Sequence, residues 1–180
     1  NLYDLLDEGK KVIVQFSATW CPPCWSYHTS GALGSVWNTY GPDGTDEVFV
    51  FFIEGDDTTT LEDLQGTGTA TMGDWVSNTP YPIIDNGGSI FDDYDGAYYP
   101  TIYTICPNRT LTESGQLTSD ALAELLFAPG CAAATLPSDV ALLEYTGETS
   151  GCLGEPATPS VLIMNTGTSA LTYATIGVFV

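Results

Sequence analysis

The stretch SATWCPPCWSYH, residues 17–28, carries two cysteines with only two prolines between them and a tryptophan on either side. A β-branched apolar run at 11–18, KVIVQFSA, precedes the motif and predicts a buried strand. The residues at 21–41 predict a helix that is closed by a glycine. A second apolar run, EVFVFFIEG at 47–55, predicts another buried strand. The two cysteines therefore lie at the strand-to-helix junction of a βαβ unit.

Such a junction suits a reactive pair of thiols. Cys21 is predicted at the N-cap of the helix, where free backbone N–H groups and the positive end of the helix dipole favour a thiolate. Cys24 lies one turn further on and is expected to be more buried, so Cys21 attacks and Cys24 resolves. Pro22 and Pro23 fit the first helical turn, because the N–H groups that they lack would have had no intrahelical acceptor.

The rest of the first 130 residues continues to alternate between helix and strand signals, which indicates the α/β class. The predicted elements are a short helix at 56–66, a weak helix at 69–79, an extended segment at 80–84, a short helix and loop at 89–100, a strand at 100–108, its hairpin partner at 110–116 and an amphipathic helix at 118–130.

The charge of the chain is strongly one-sided. Its 180 residues include 23 acidic side chains but only three lysines and arginines, for a formal net charge of -20. This charge excludes nucleic acid as a partner, since phosphate backbones are bound by clustered Lys and Arg. No apolar run approaches the roughly 20 residues that span a bilayer, so membrane insertion is not expected. The chain opens with Asn1 and no basic-then-apolar leader, which predicts a processed or cut N-terminus.

From residue 131 onward the helical spacing disappears. Three apolar runs, at 139–147, 159–171 and 172–180, are separated by Gly, Thr, Ser and Pro and predict strands. Three strands are fewer than the seven or so of an immunoglobulin-like sandwich. We therefore expect a domain at 1–130 and, at 131–180, the start of a partial all-β, immunoglobulin-like domain that is truncated.

Five cysteines in this chain suggest an oxidising compartment, although the odd count leaves one thiol over. Cys131 and Cys152 both lie in the all-β segment and are predicted to form a structural disulfide. Closing their 21-residue separation would stabilise the fold by about 3 kcal/mol in the loop-entropy model. Cys106 is then expected to be a free thiol that packs as a small hydrophobic residue.

The opening NLYDLLDEGKKVIVQFSATWCPPCWSYH resembles that of the extracytoplasmic thioredoxin-like proteins of bacteria, a family of thiol-disulfide oxidoreductases, and the resemblance extends to about residue 130. It implies a central mixed sheet flanked by helices. It also implies a cis-proline strand that faces the cysteines. YYPTIYTI resembles that strand, which assigns the cis-proline to Pro100 and main-chain pairing with substrate to Tyr99. Pro82 is the rival candidate.

Other residues near the motif have two interpretations each. Gln15 stands where thioredoxins carry a buried acid, so Glu54 is a candidate proton relay, or else a solvated carboxylate at a strand end. Trp20 and Trp25 either form an aromatic rim for an extended substrate or pack in the ordinary way. His28 either tunes the thiolate or ligates a metal, or lies partly exposed at the surface.

Three functions from different classes remain open. The first is an extracytoplasmic thiol-disulfide oxidoreductase, without a dissociable cofactor, that acts on protein thiols and disulfides and exchanges electrons with a redox partner protein. The Pro22–Pro23 dipeptide between its cysteines offers neither N–H groups nor charge to stabilise a thiolate, which favours a reductase or isomerase over a strong oxidant. The second is a binding or adhesion module of a larger secreted protein, with the dithiol locked as a structural disulfide. The third is a zinc or copper site, for which only Cys21, Cys24 and His28 are close together in the sequence.

Overall fold

A computed structural model describes residues 1–133, 140–146, 160–165, 167, 169–170 and 172 of this chain. The chain divides into two compact units, Asn1–Ala133 and Ala134–Val180. Cys152 and nearly all of the strand predicted at 172–180 lie outside the described residues.

A five-stranded mixed sheet forms the centre of the first unit. Its strands are β1 (Lys11–Ser17), β2 (Val48–Glu54), β3 (Ile83–Ile84), β4 (Thr101–Ile105) and β5 (Leu111–Glu113). They lie in the order β3-β2-β1-β4-β5. β1 pairs in parallel with β2, and β2 with β3, whereas β4 runs antiparallel to both β1 and β5.

Helices cover both faces of this sheet. They are α1 (Leu2–Asp7), α2 (Pro22–Thr29), α3 (Ala32–Tyr40), α4 (Leu61–Leu64), α5 (Gly88–Asp93) and α6 (Ser119–Leu126). Because successive side chains of a strand point to opposite faces, β1 contributes Ile13 to one core and Val12, Val14 and Phe16 to the other. The first core includes side chains of α2, α3 and α6, and the second includes side chains of α1 and α5. The mixed sheet flanked by helices is confirmed.

Two helix predictions need correction. The helix predicted at 21–41 is two helices, α2 and α3, because Gly31 between them adopts a left-handed φ of 72° that favours glycine. The weak helix predicted at 69–79 is a loop without regular structure. There the Asp74 carboxylate accepts hydrogen bonds from the backbone N–H groups of Val76 and Ser77, which competes with helical hydrogen bonding.

The predicted disulfide between Cys131 and Cys152 is also wrong, as is the prediction that Cys106 is free. Cys106 is bonded to Cys131, with their Cα atoms 4.9 Å apart. Cys106 directly follows β4, and Cys131 lies in a turn just after α6, where its N–H donates to Ala128. The β4–β5 hairpin and α6 bring together two cysteines that are 25 residues apart in the chain.

Removing both of these cysteines should destabilise the first unit. Cys106→Ala combined with Cys131→Ala should lower the free energy of unfolding by about 3 kcal/mol, because the open chain regains the entropy of a loop of this length. Denaturant titration of the double variant and the wild type measures this difference. Equal unfolding midpoints, or a digest of the unreduced protein without a peptide linking 106 to 131, would contradict the pairing.

The described part of the second unit is a two-stranded antiparallel sheet. It consists of β6 (Val140–Thr146) and β7 (Ser160–Asn165), with an irregular register between Leu142 and Glu144. These strands lie within the first two strand segments predicted for this region. The immunoglobulin-like character of the unit stays a prediction. Among the described helices of the chain, none is long and apolar enough to cross a bilayer.

Candidate active site

The two cysteines of the CPPC motif lie where β1 leads into α2. Cys21 is the N-cap of α2 with an extended backbone, and its Sγ accepts the Cys24 backbone N–H at 3.3 Å. Pro22 and Pro23 occupy the first turn. The two sulfurs are joined in a disulfide that brings the Cα atoms to 5.2 Å, and Cys24 is fully buried. The local geometry matches the sequence expectation, since a cap residue precedes two prolines that need no acceptor.

The strand that follows the Tyr99–Pro100 bond, β4, lies next to β1, which leads into the two cysteines. The Tyr99–Pro100 peptide bond is cis, which agrees with the choice of Pro100 over Pro82. Thr101 pairs with Phe16, so Pro100 enters β4 next to the end of β1 from which the chain continues to Cys21. The Tyr99 ring meets Trp20 edge to face, with ring centroids 6.3 Å apart. Tertiary structure thus brings Trp20, Tyr99 and Pro100 to the same place as the two cysteines.

The two tryptophans that flank the motif differ in their surroundings. Trp20 is 46% exposed, and its indole N–H donates to the Asp56 carboxylate at 2.7 Å. Trp25 is partly buried and packs edge to face on the buried Trp75, with centroids 4.9 Å apart. The structure therefore favours a rim position for Trp20 and ordinary packing for Trp25.

His28 lies in an aromatic cluster. Its ring stacks on Trp25 at 5.5 Å between centroids and contacts Trp75 at 4.9 Å and Phe52 at 6.1 Å. Burial lowers the pKa of His28, an effect that the Asp74 carboxylate partly opposes. Burial thus disfavours the charged imidazolium, and the ring packs among aromatic side chains. No group of three or more Cys, His, Asp and Glu side chains is placed to hold a metal ion in the described part of the chain.

Solved structures of other proteins share this architecture. MTB DsbF, in its mixed oxidised and reduced forms, matches with a TM-score of 0.52 and 20% identity, over 70% of this chain and 84% of that chain. The first unit has the thioredoxin fold. Tryparedoxin I from Leishmania major is also similar, with a TM-score of 0.49 and 19% identity over 68% of this chain and 82% of that chain. The exposed lipoprotein thioredoxin Etrx1 from Streptococcus pneumoniae matches with a TM-score of 0.45 and 24% identity, over 67% of this chain and 87% of that chain. The expected resemblance to bacterial thioredoxin-like proteins is thus confirmed at the level of the fold. No protein-family model and no curated protein matches the sequence.

A buried polar row lies on the sheet face that packs against α2 in the thioredoxin-like unit. Gln15 and Ser17 follow Ile13 on that face of β1, and Ser17 is the register partner of Glu54 at the end of β2. All three side chains are buried. The Gln15 amide, Ser17 Oγ and Glu54 Oε2 have no hydrogen-bond partner among the described residues. Polar groups that are buried without a partner are costly, so each of them calls for an explanation.

Glu54 is the ionisable member of this row. It is 0% exposed, so the interpretation as a solvated strand-end carboxylate is wrong. Its Oε1 accepts the Thr59 hydroxyl at 3.0 Å. Burial raises the pKa of Glu54 to about 7, although hydrogen bonds from Thr59 and from the Asp56 and Thr19 backbones act in the opposite direction. Its carboxyl group therefore exchanges protons near neutral pH.

Sequence reasoning missed Asp56, which accepts the Trp20 indole N–H, and Asp57, which accepts the Gly88 N–H at 2.8 Å. The available signal was their position directly after the second buried strand, at the end of the sheet that holds the cysteines. The residue before them, Gly55, is a glycine for a structural reason, because a Cβ atom at this position would come within 2.7 Å of the Tyr99 hydroxyl.

Proposed function

We propose that the thioredoxin-like unit is a thiol-disulfide oxidoreductase that acts on protein disulfides through Cys21 and Cys24. The observation that carries this proposal is the position of the Cys21–Cys24 disulfide at a helix N-terminus, where Trp20, the residue before Cys21, meets the ring of Tyr99. A helix N-terminus favours the thiolate that such exchange needs, and the unit needs no cofactor for it.

The exchange proceeds in two steps that conserve atoms and electrons. In the reduced protein, the Cys21 thiolate attacks one sulfur of a substrate disulfide, forms a mixed disulfide and releases the other substrate sulfur as a thiolate. The Cys24 thiolate then attacks Cys21 Sγ, closes the Cys21–Cys24 disulfide and releases the second substrate thiol. Two electrons pass to the substrate, and a redox partner protein then supplies two further electrons that reduce the Cys21–Cys24 disulfide back to the dithiol.

Substrate recognition is assigned to Trp20, Tyr99 and Pro100. Trp20 offers an exposed aromatic face next to the Tyr99 ring, where an extended polypeptide can pack. The resemblance to thioredoxin-like proteins implies that the main chain of Tyr99, before the cis-proline, pairs with the main chain of the substrate.

Glu54 is proposed as the group that accepts the proton of Cys24. Cys24 is fully buried and must lose its proton before it resolves the mixed disulfide. Gln15, at the position of the thioredoxin acid, cannot accept this proton. Glu54 lies at the end of β2 on the sheet face that packs against α2, and its register partner Ser17 lies four residues before Cys21. A carboxyl group with a pKa near the operating pH is suited to general base catalysis.

The proposed direction is reduction or isomerisation. The backbone N–H of Cys24 is the local donor to Cys21 Sγ, because Pro22 and Pro23 have no N–H to offer. Asp56 accepts the indole N–H of Trp20, the residue before Cys21, so this side of the motif carries negative charge. Strong oxidants stabilise their attacking thiolate heavily, and little here supplies that stabilisation.

An extracytoplasmic location is part of this proposal. The Cys106–Cys131 disulfide supports it, because structural disulfides persist in oxidising compartments and are rare where thiols are kept reduced. The three similar structures do not decide it, since their identity with this chain is 24% or lower.

A binding or adhesion module of a larger secreted protein is the alternative. The strands β6 and β7 of the second unit favour it. Insulin reduction by the full chain with a dithiol as electron donor separates the two functions. We expect reduction to be faster than with the donor alone, whereas the uncatalysed rate would support the binding module.

A further inference from the structure

The positive charges of the chain are gathered at one end of the sheet. Lys10, Lys11 and Arg109 are its three cationic residues besides the N-terminus. Lys10 and Lys11 lie at the beginning of β1, and Arg109 follows β4. Because β4 is antiparallel to β1, with Val12 opposite Ile105, all three lie at the same end. A seven-residue strand is roughly 20 Å long, so this end is far from the cysteines, which follow the other end of β1.

Each of these cations is engaged with an acid at that end. Lys10 Nζ lies 2.8 Å from the Asp46 carboxylate, and Arg109 Nη2 lies 2.7 Å from the Asp7 carboxylate. Lys11 Nζ is 3.8 Å from the Glu47 carboxylate. No lysine or arginine therefore lies beside the cysteines. The charged side chains at the cysteine end of the sheet are negative.

Three aspartates, here called the acidic rim, lie around Trp20 and Tyr99. Asp56 accepts the Trp20 indole N–H, and Asp57 accepts the Gly88 N–H at the start of α5. Asp92 is exposed on α5, where Phe91 stacks on the Tyr99 ring at 4.5 Å. The pKa of Tyr99 is raised to about 12, first by burial and then by four carboxylates, those of Asp56, Glu54, Asp57 and Asp92. The residue before the cis-proline thus lies in a negative field.

Exposed apolar side chains lie at the same place. Trp20 is 46% exposed and Met72 is 43% exposed. The Met72 N–H donates to the Thr19 carbonyl at 2.9 Å, which holds Met72 close to the residues that precede Cys21. A partner that covers this surface therefore meets apolar groups next to Cys21 and carboxylates on the side of Tyr99.

We propose that this surface selects cationic polypeptide segments, so that the preferred substrates carry Lys or Arg next to the disulfide that is reduced. This inference rests on the proposed oxidoreductase function. Opposite charge on substrate and rim accelerates encounter, and like charge next to the sulfurs disfavours acidic partners. A lysine or arginine is also attracted to the exposed face of Trp20.

A single-turnover experiment on the full chain tests the selectivity without an electron donor. The protein is reduced, freed of reductant and mixed with excess of a synthetic peptide that contains one disulfide. Three peptides differ only in the residues that flank the cysteines, which are Lys, Gln or Glu. Each reaction converts the Cys21–Cys24 dithiol to a disulfide and the peptide disulfide to two thiols, and tryptophan fluorescence gives the second-order rate constant.

At low ionic strength we expect the Lys peptide to react at least about ten times faster than the Glu peptide, with the ratio falling towards one in 0.5 M salt. Asp57→Asn combined with Asp92→Asn should lower this ratio by about threefold. The matched control is Asp43→Asn combined with Asp46→Asn, which removes the same charge at the far end of the sheet. Both double variants are therefore compared at about 0.1 M salt, where the Debye length of about 10 Å is shorter than the strand that separates the two ends of the sheet. Under these conditions the control should leave the ratio within about a factor of 1.5 of the wild-type value.

The possible failures point to different parts of the proposal. Equal rate constants for the Lys and Glu peptides, with reduction of the Gln peptide intact, overturn the selectivity and leave the oxidoreductase function in place. A large ratio that falls equally in both double variants assigns the preference to net charge and overturns the role of the rim. No reduction of any peptide overturns the oxidoreductase function, and the selectivity with it.

Discussion

Cys21→Ser should lower the rate of disulfide reduction by at least about a thousandfold, as expected for loss of the group that makes the covalent bond. A serine hydroxyl at this helix N-terminus is not ionised at neutral pH and forms no mixed disulfide. Insulin reduction with a dithiol donor and single-turnover reaction with a disulfide peptide both measure the loss. A variant that keeps more than about a tenth of the wild-type rate would show that the activity does not depend on this thiol.

Cys24→Ser is the matched control, because it keeps the attacking thiol and removes only the resolving one. This variant should accumulate a mixed disulfide between Cys21 and the substrate, which mass spectrometry under non-reducing conditions detects. Cys21→Ser should give no such adduct. An adduct at Cys24 in the Cys21→Ser protein would reverse the assigned roles of the two thiols.

Glu54→Gln should have the second largest effect, on the step in which Cys24 releases the substrate. In the wild type this step should accelerate as pH rises through about 7, where Glu54 ionises and becomes able to accept the Cys24 proton. The glutamine variant should lose this rise and should be slower by about 10- to 100-fold at pH 8. The measurement is the rate of peptide release from the mixed disulfide as a function of pH, and an unchanged profile would remove Glu54 from the mechanism.

The same substitution should change how stability depends on pH. Because burial raises the pKa of Glu54 from 4.5 to about 7, the folded protein holds this proton more tightly than the unfolded chain does. The stabilisation from the protonated form is complete below pH 4.5 and is lost as pH rises through about 7. A pKa rise of this size corresponds to about 3 kcal/mol in the free energy of unfolding. The wild type loses this stabilisation as pH rises, whereas Glu54→Gln does not. Denaturant unfolding at pH 4.5 and pH 8 measures this difference.

Glu62→Gln serves as the matched control for both experiments. Glu62 is exposed on α4, so its neutral variant should keep the wild-type pH dependence of stability and of peptide release. If Glu62→Gln and Glu54→Gln give the same curves, burial of Glu54 has no consequence for proton binding.

The sequence alone determined the features that depend on neighbouring residues. A run of apolar residues predicts a buried strand wherever the chain places it, so β1 and β2 were found within a residue or two of their ends. The N-cap position of Cys21 followed from the prolines that come after it, since proline suits the first turn of a helix. The choice of Pro100 for the cis bond came from the resemblance of YYPTIYTI to the family strand, and the structure agrees with it.

Only the tertiary structure decided which distant groups meet. Cys106 pairs with Cys131 because β5 and α6 fold back past the end of β4, and the spacing of cysteines in a sequence carries no such information. Glu54 at a strand end is solvated or buried depending on what covers that end of the sheet. The acidic rim likewise forms because β2, α5 and the residues before β4 converge beside Trp20, and side chains far apart in the chain share a field only after folding sets the distances between them.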